Sequence, residues 1–212
     1  MRLLLLVALV CCSTLIPEAC RSATYDFGLN LALDLPQADF ANISGTGAGV
    51  GLKFLRPLSG PHLRLRGDFD LLFFGEEEQV GDIGGQPWSV VTRYESMRFL
   101  AGLEISTSSA RRWRVYLAPV AGLYYFRSID RIQFTYYSET RSSETDFGWK
   151  VDAGFTLSRF RRPHRPRGLE LDFGASYGTV RGAVTTETVE GQTLTSDANE
   201  VIIHVGVIWH RR

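Results

Sequence analysis

An all-β chain, eight antiparallel strands closed into an up-and-down transmembrane β-barrel, is the fold class this sequence predicts, and three observations predict it. Eight stretches alternate apolar with polar or small residues at period two, which is the strand signal. The connections between those stretches alternate short and long. Aromatic residues collect near the segment ends. Alternation by itself leaves open which face is rolled inward, because a soluble sheet turns its charged face to water. The loop asymmetry and the aromatic placement favour an apolar outside.

Met1-Arg2, the uncharged run Leu3 to Val10, and then Cys11, Cys12, Leu15 and Ile16 read as the n-region and h-region of a cleavable leader. The apolar core is shorter than the ~20 residues a spanning helix needs. Residues 1–22 are assigned to a signal peptide and 23–212 to one barrel domain. Pro17 and Glu18 disfavour a lipoprotein site at Cys20. All three cysteines lie in the leader, so the mature chain is expected to close itself without disulfides. Removing residues 1–22 takes two arginines and one glutamate from 23 basic and 23 acidic side chains and leaves a net charge of −1. Near-neutrality argues against a nucleic-acid partner.

The apolar faces follow in order. The first three segments carry Tyr25, Phe27, Leu29, Leu31 and Leu33; Ala48, Val50, Leu52 and Phe54; then Leu63, Leu65, Phe69, Leu71 and Phe73. The fourth carries Met97, Phe99, Ala101, Leu103 and Ile105, the fifth Trp113, Val115, Leu117, Ala121, Leu123 and Tyr125. The sixth carries Phe147, Trp149, Val151, Ala153, Phe155 and Leu157, the seventh Leu169, Leu171, Phe173, Ala175 and Tyr177. The eighth carries Val201, Ile203, Val205, Val207 and Trp209. Each is near the ~9–11 residues with which a tilted strand crosses a bilayer. The opposite faces are charged or tiny: Asp26, Gly28 and Asn30 on the first, Gly49, Gly51 and Lys53 on the second, and Gly148, Lys150, Asp152 and Gly154 on the sixth.

Arg56 to Pro61, Thr107 to Arg112 and Arg159 to Gly168 are the short connections. Leu35 to Thr46, Gly75 to Thr92, Arg127 to Asp146 and Arg181 to Asn199 are the long ones. Tyr25, Phe54, Trp113 and Trp209 stand at the short-turn end, and Phe73, Phe99, Tyr125, Phe147, Trp149 and Tyr177 toward the other, as two interfacial girdles would. Glycines on the polar face fit a narrow lumen with little room beside Arg and Tyr. Pro119 cannot donate to a ladder, so a local bulge or outward kink is expected there.

The polar face is the candidate site. Lys53, Arg64, Arg66, Asp68, Asp70, Arg98, Glu104, Arg114, Lys150, Asp152, Glu170, Asp172, Glu200 and His204 are expected to form a lumen network, since buried charges persist when paired and hydrogen-bonded. Arg64, Glu104 and Arg114 are expected together near the short turns, and Lys150 and Asp152 facing Glu170 and Asp172 on the next strand. A blocked lumen would be filled by Arg66, Asp68, Tyr116 and Lys150. His62 and His164 fall in short turns and His210 in a tail. Ser176, Asp172 and His204 share a face, yet no tight catalytic motif surrounds them and a lumen nucleophile has no lipid access. No catalytic residue, cofactor or metal is assigned. Glu76, Glu77, Glu78 and Asp82 read as a solvated acidic loop before a cation site. The basic run Arg159 to Arg167, with Arg111, Arg112, Arg211 and Arg212, makes one rim positive and suited to anionic headgroups or a periplasmic protein.

With this meander, loop asymmetry and terminal aromatic, the chain resembles the small eight-stranded outer-membrane barrels of the OmpA and OmpX type. The resemblance covers everything after the leader. It implies the outer membrane of a Gram-negative bacterium, membrane lipids and lipopolysaccharide as partners, a monomer, and recognition of Val201–Trp209 by the barrel assembly machinery. Members of that family usually end on the aromatic, whereas His210-Arg211-Arg212 follow it here. Fold does not give function. The expectation is a non-catalytic envelope protein with a charged, plugged lumen, whose long loops, Phe134 to Ser138 included, extend strand pairing outward to external surfaces. The alternatives are a narrow pore or small-solute channel, a soluble lipid-binding barrel, and a membrane-embedded hydrolase.

Overall fold

A computed structural model describes residues 25–41, 44–59, 62–83, 86–107, 113–133, 137–158, 168–187 and 193–211. The leader, Arg111, Arg112, the tip 134–136, the basic run 159–167 with His164, and Arg212 lie outside the described residues.

The strands are β1 (Tyr25–Gln37), β2 (Gly47–Ser59), β3 (Leu63–Ile83), β4 (Gln86–Ser106), β5 (Trp113–Gln133), β6 (Tyr137–Ser158), β7 (Leu169–Glu187) and β8 (Thr193–Arg211). They form one closed antiparallel barrel in sequence order. The seam is β1 with β8, paired from Tyr25↔Arg211 to Gln37↔Asn199. Closure follows from the alternation: on β1 each even residue from Asp26 to Asp34 points in and the odd residues point out. Leu31 is 63% exposed and Phe147 66%, whereas Asp34 and Arg98 are at 0%. The apolar face is therefore the outside, which the alternation had left open. Among the described residues no helix is long and apolar enough to cross a membrane.

Three features depart from the sequence reading. First, β3 to β8 run 19 to 22 residues, about twice the length expected. Most of the connections read as long loops are paired strand. β3 and β4 stay paired from Glu76↔Arg93 to Ile83↔Gln86, past a bulge between Phe73 and Glu76, so the acidic run Glu76–Glu78 is strand and not loop. β4 pairs β5 out to Ser89↔Gln133, and β5 pairs β6 to Gln133↔Tyr137. Residues such as Val90, Val91, Thr92, Ile129 and Thr140 favour extended backbone, and continued pairing satisfies N–H and C=O groups there. The ladder joining β2 to β3 stops at Gly47↔Phe74 and that joining β6 to β7 at Gly148↔Val180, so a four-stranded sheet, β3 to β6, projects beyond the closed wall.

Second, Pro119 makes no bulge. Its strand keeps register on both sides, with Pro119 opposite Val151 on β6. Toward β4 the pairing lapses between Gly102↔Val120 and Ile105↔Leu117. The missing N–H removes ladder bonds on one side without adding a residue. Third, His210 and Arg211 are not a tail. They continue β8 and pair with Asp26 and Tyr25.

The projecting sheet is held by its own ladders and not by the barrel wall. Replacing residues 79–90 by Asn-Gly joins the cross-strand partners Glu78 and Val91 through a two-residue hairpin turn. The shortened protein is expected to keep its β-rich circular dichroism and a melting midpoint within about 4 °C of the parent, a change of ~1 kcal/mol or less.

Candidate functional site

The alternating inward residues build a charged lumen in tiers. At the short-turn end Arg64 on β3 donates to Glu104 on β4 and stands 3.5 Å from Asp26 on β1. Arg114 on β5 donates to Glu170 on β7 at 3.1 Å, and Ser158 on β6 donates to the same carboxylate at 2.6 Å. His210 Nδ1 stands 2.8 Å from Asp26.

In the middle tier Arg66 holds Asp68 in a fork, Nε to Oδ1 at 2.8 Å and Nη2 to Oδ2 at 2.9 Å, and reaches Asp152 on the far wall. Lys53 donates to Asp172, and Lys150 donates to Asp70 at 2.8 Å with Asp68 at 3.5 Å. Tyr116 lies on the axis of this tier. Its hydroxyl is 3.1 Å from His204 Nε2 and accepts from Lys53 at 3.5 Å, while Lys53 and Arg66 lie over its ring at 4.9 and 5.7 Å. The hydroxyl has space because Gly154 and Gly174 face it: a Cβ at either would come within 2.5 and 2.6 Å of it. Those glycines fit the lumen reading of the polar-face glycines.

Above this tier Arg98 donates to Asp34 at 2.7 Å and to Glu200, with its guanidinium 5.2 Å from the Tyr124 ring. All fourteen residues expected in the network are buried and lumen-facing. Their partners differ from the expectation in two ways. Lys150 and Asp152 do not face Glu170 and Asp172 on the next strand; they pair across the lumen with Asp70 and Arg66 of β3. Arg114 bonds Glu170 and not Glu104. In a barrel this narrow long side chains reach the opposite wall.

Around Arg98, Asp34 and Glu200 the long-loop half of the lumen is lined by apolar side chains, which the reading of a wholly charged or tiny face missed. Leu72, Phe74, Leu100, Val120, Tyr124, Phe126, Val180, Ala198 and Ile202 form one buried cluster. A short helix, α1 (Ala38–Ala41), in the β1–β2 connection delivers Phe40 into it at 2% exposure. The Phe40 ring meets Phe74 edge-on at 5.4 Å and Phe126 at 5.9 Å. Ser44 closes the segment, its N–H and hydroxyl both donating to the Phe40 carbonyl at 3.0 Å.

Four further members join the interior. Asp34 continues the even series from Asp26 and meets Arg98. Asp26, on the polar face, meets Arg64 and His210. His210 followed an aromatic that looked terminal, and Phe40 carried no periodic signal. Of the hydrolase candidates, His204 Nε2 stands 3.6 Å from Asp172 and 3.1 Å from the Tyr116 hydroxyl, its Nδ1 is 3.8 Å from Asp152, and Ser176 pairs along the ladder with Ile202 and Asp152. His62 lies exposed in its turn with Nδ1 3.0 Å from the Ser106 carbonyl oxygen. On the outside, Phe54, Trp113, Trp149, Tyr177 and Trp209 are exposed, with Tyr25 half-buried against Phe54 at 5.2 Å and Trp149 6.3 Å from Tyr177.

No protein-family model matches the chain, and no curated protein sequence matches it. Solved structures do. Neisserial surface protein A matches over 87% of this chain and 95% of its own, at 12% identity and a TM-score of 0.52. Ail, the attachment invasion locus protein of Yersinia pestis, solved with the heparin analogue sucrose octasulfate, matches over 89% of this chain and 98% of its own, at 13% identity and a TM-score of 0.50. The chain has the fold of the small eight-stranded outer-membrane barrels.

Arg66→Leu leaves Asp68 and Asp152 buried without their main partner and is expected to cost about 3–5 kcal/mol. Adding Asp152→Asn should recover part of that, read from thermal melts in detergent. Phe40→Ala removes the anchor of α1. Loss of a buried phenylalanine, worth about 3 kcal/mol, should raise protease cleavage between Gln37 and Thr46 more than tenfold while the barrel stays closed.

Proposed function

We propose that this chain is a non-catalytic, monomeric protein of the outer membrane of a Gram-negative bacterium, with a plugged lumen and a projecting sheet that meets external surfaces. The observation that carries the reading is the inverted burial. Large apolar side chains such as Leu31, Phe99, Leu117, Leu123 and Phe147 are about half exposed or more, while arginines, lysines and carboxylates fill the interior. In water such an exterior is an aggregation liability; in hydrocarbon it is the stable arrangement. Tyr25, Phe54, Trp113 and Trp209 at one end, with Trp149 and Tyr177 toward the other, suit the two headgroup levels.

The plugged lumen is supported by its two unlike layers in series. Water or ions would have to pass the paired charges around Tyr116 and then the Phe40–Phe74–Phe126 stack. An eight-stranded barrel leaves an interior that side chains can fill. Membrane lipids and lipopolysaccharide are the partners this outside would contact, and β8 is the strand offered to the barrel assembly machinery. The surface role rests on the sheet from β3 to β6, whose outer edges, among the described residues, pair with neither β2 nor β7. Antiparallel ladders with open edges and mixed charge, such as Arg93, Glu95, Arg131 and Glu139, present a polar wall to the exterior.

Residues 23–212 refolded in detergent micelles are expected to give a compact form that changes gel mobility on boiling, to float with phospholipid vesicles, and to leave planar bilayers without stable conductance. Folding as a monomer in plain buffer would refute the membrane assignment. Steady conductance would refute the plug and leave a narrow pore.

A further inference from the structure

We infer that His210, held as an imidazolium between Asp26 and Glu170, is the lock that sets the register of the last strand and closes the barrel seam. β8 has to satisfy two neighbours at once. Asp26 is the cross-strand partner of His210 on β1, and Glu170 belongs to β7, where it pairs with Ile208. His210 Nδ1 is 2.8 Å from Asp26 Oδ1, and Nε2 is 3.1 Å from Glu170 Oε1. The second contact is an ion pair outside hydrogen-bond alignment, to an oxygen that also accepts from Ser158. A bare ring nitrogen facing a carboxylate oxygen at such a distance is repelled, so both nitrogens need a proton.

The smallest slip of β8 that keeps its apolar face outward is two residues. That slip moves the ring about 7 Å along its neighbour and breaks the contact on that side. Both contacts therefore exist only when β8 is in register with β7 and β1 together. The backbone N–H of His210, donating to the Gly168 carbonyl at 3.1 Å, fixes the same end.

The charged groups around the ring are Asp26 on β1, Arg64 on β3, Glu104 on β4, Arg114 on β5 and Glu170 on β7, while β2 brings the uncharged Leu55 and β6 brings Ser158. His210 lies past Trp209, the last residue of the apolar belt. Burial opposes its charge, but the hydrogen bond to Asp26 and the Glu170 carboxylate outweigh it and push the imidazole up to about 9. A value above the ordinary 6.5 means that the lock is fully engaged below pH 6.5 and is lost as pH rises through about 9. The inference rests on the closed barrel and not on where the barrel resides, so the two can fail separately.

The test uses residues 23–212 refolded in detergent micelles, wild type beside His210→Gln, with the fraction of closed barrel measured by gel mobility after partial denaturation at pH 6 to 10. The ratio of the closure equilibria, wild type over variant, is expected to fall by up to about a hundredfold across that range. In ¹⁵N spectra of the wild type the His210 ring should be protonated at both nitrogens at pH 7.5, and Asp26→Asn should lower its midpoint toward 6.5. A pH-independent ratio, or a ring that titrates near 6.5 in the wild type, overturns the inference. Should His210→Gln fail to fold, the wild-type ring titration and its response to Asp26→Asn decide alone.

Discussion

A sheet that closes on itself turns one set of side chains toward whatever medium surrounds it and forces the other set to satisfy one another. With eight strands the enclosed space is about as wide as two long side chains laid end to end. Solvent cannot do the work of neutralising what points inward, so each inward charge has to find its partner on another strand. Arg66 spans from its own strand to Asp152, Lys53 from β2 to Asp172, and Arg98 from β4 to Asp34 and Glu200. The hydrogen-bonded wall and the cross-lumen pairs are two expressions of the same closure.

The interior divides by chemistry along its axis. Charged side chains dominate the short-turn half and the middle, and in the long-loop half the aromatic and aliphatic cluster surrounds the paired Arg98, Asp34 and Glu200. The two chemistries meet where Arg98 lies over the Tyr124 ring, a cation against a π-face. Phe40 completes the apolar cluster from outside the sheet, carried inward by the β1–β2 connection.

Period two made the eight strands, their order and their inward faces legible, because a one-residue error would have moved every apolar side chain to the wrong face. The same alternation put the charged residues of the polar face on the buried side of the wall. Partner choice was not legible, since Lys150 meeting Asp70 depends on barrel diameter and strand tilt, which no local pattern encodes. Phe40 was invisible because a four-residue helix has no period to detect. Strand lengths were underestimated because hydroxyl and charged residues beyond the apolar belt look like loop while still pairing as ladder, as Arg127 to Asp130 do against Thr92 to Glu95. Pro119 looked like a defect requiring a bulge, yet an outward-facing ring and a gap on one side accommodate it.

The projecting hairpins also have a mechanical side. Their strands run continuously into the wall, and the ladder bonds lie across the strand direction. A pull along the length of the β3–β4 or β5–β6 hairpin would be carried by its two backbones into the closed cylinder, with the ladder between β4 and β5 loaded in shear. A sideways pull would open the free edge of β6 bond by bond. The tower built on this barrel is therefore stiff along its axis and weak across it, and an attachment made at its tip would hold best when the load runs straight into the membrane.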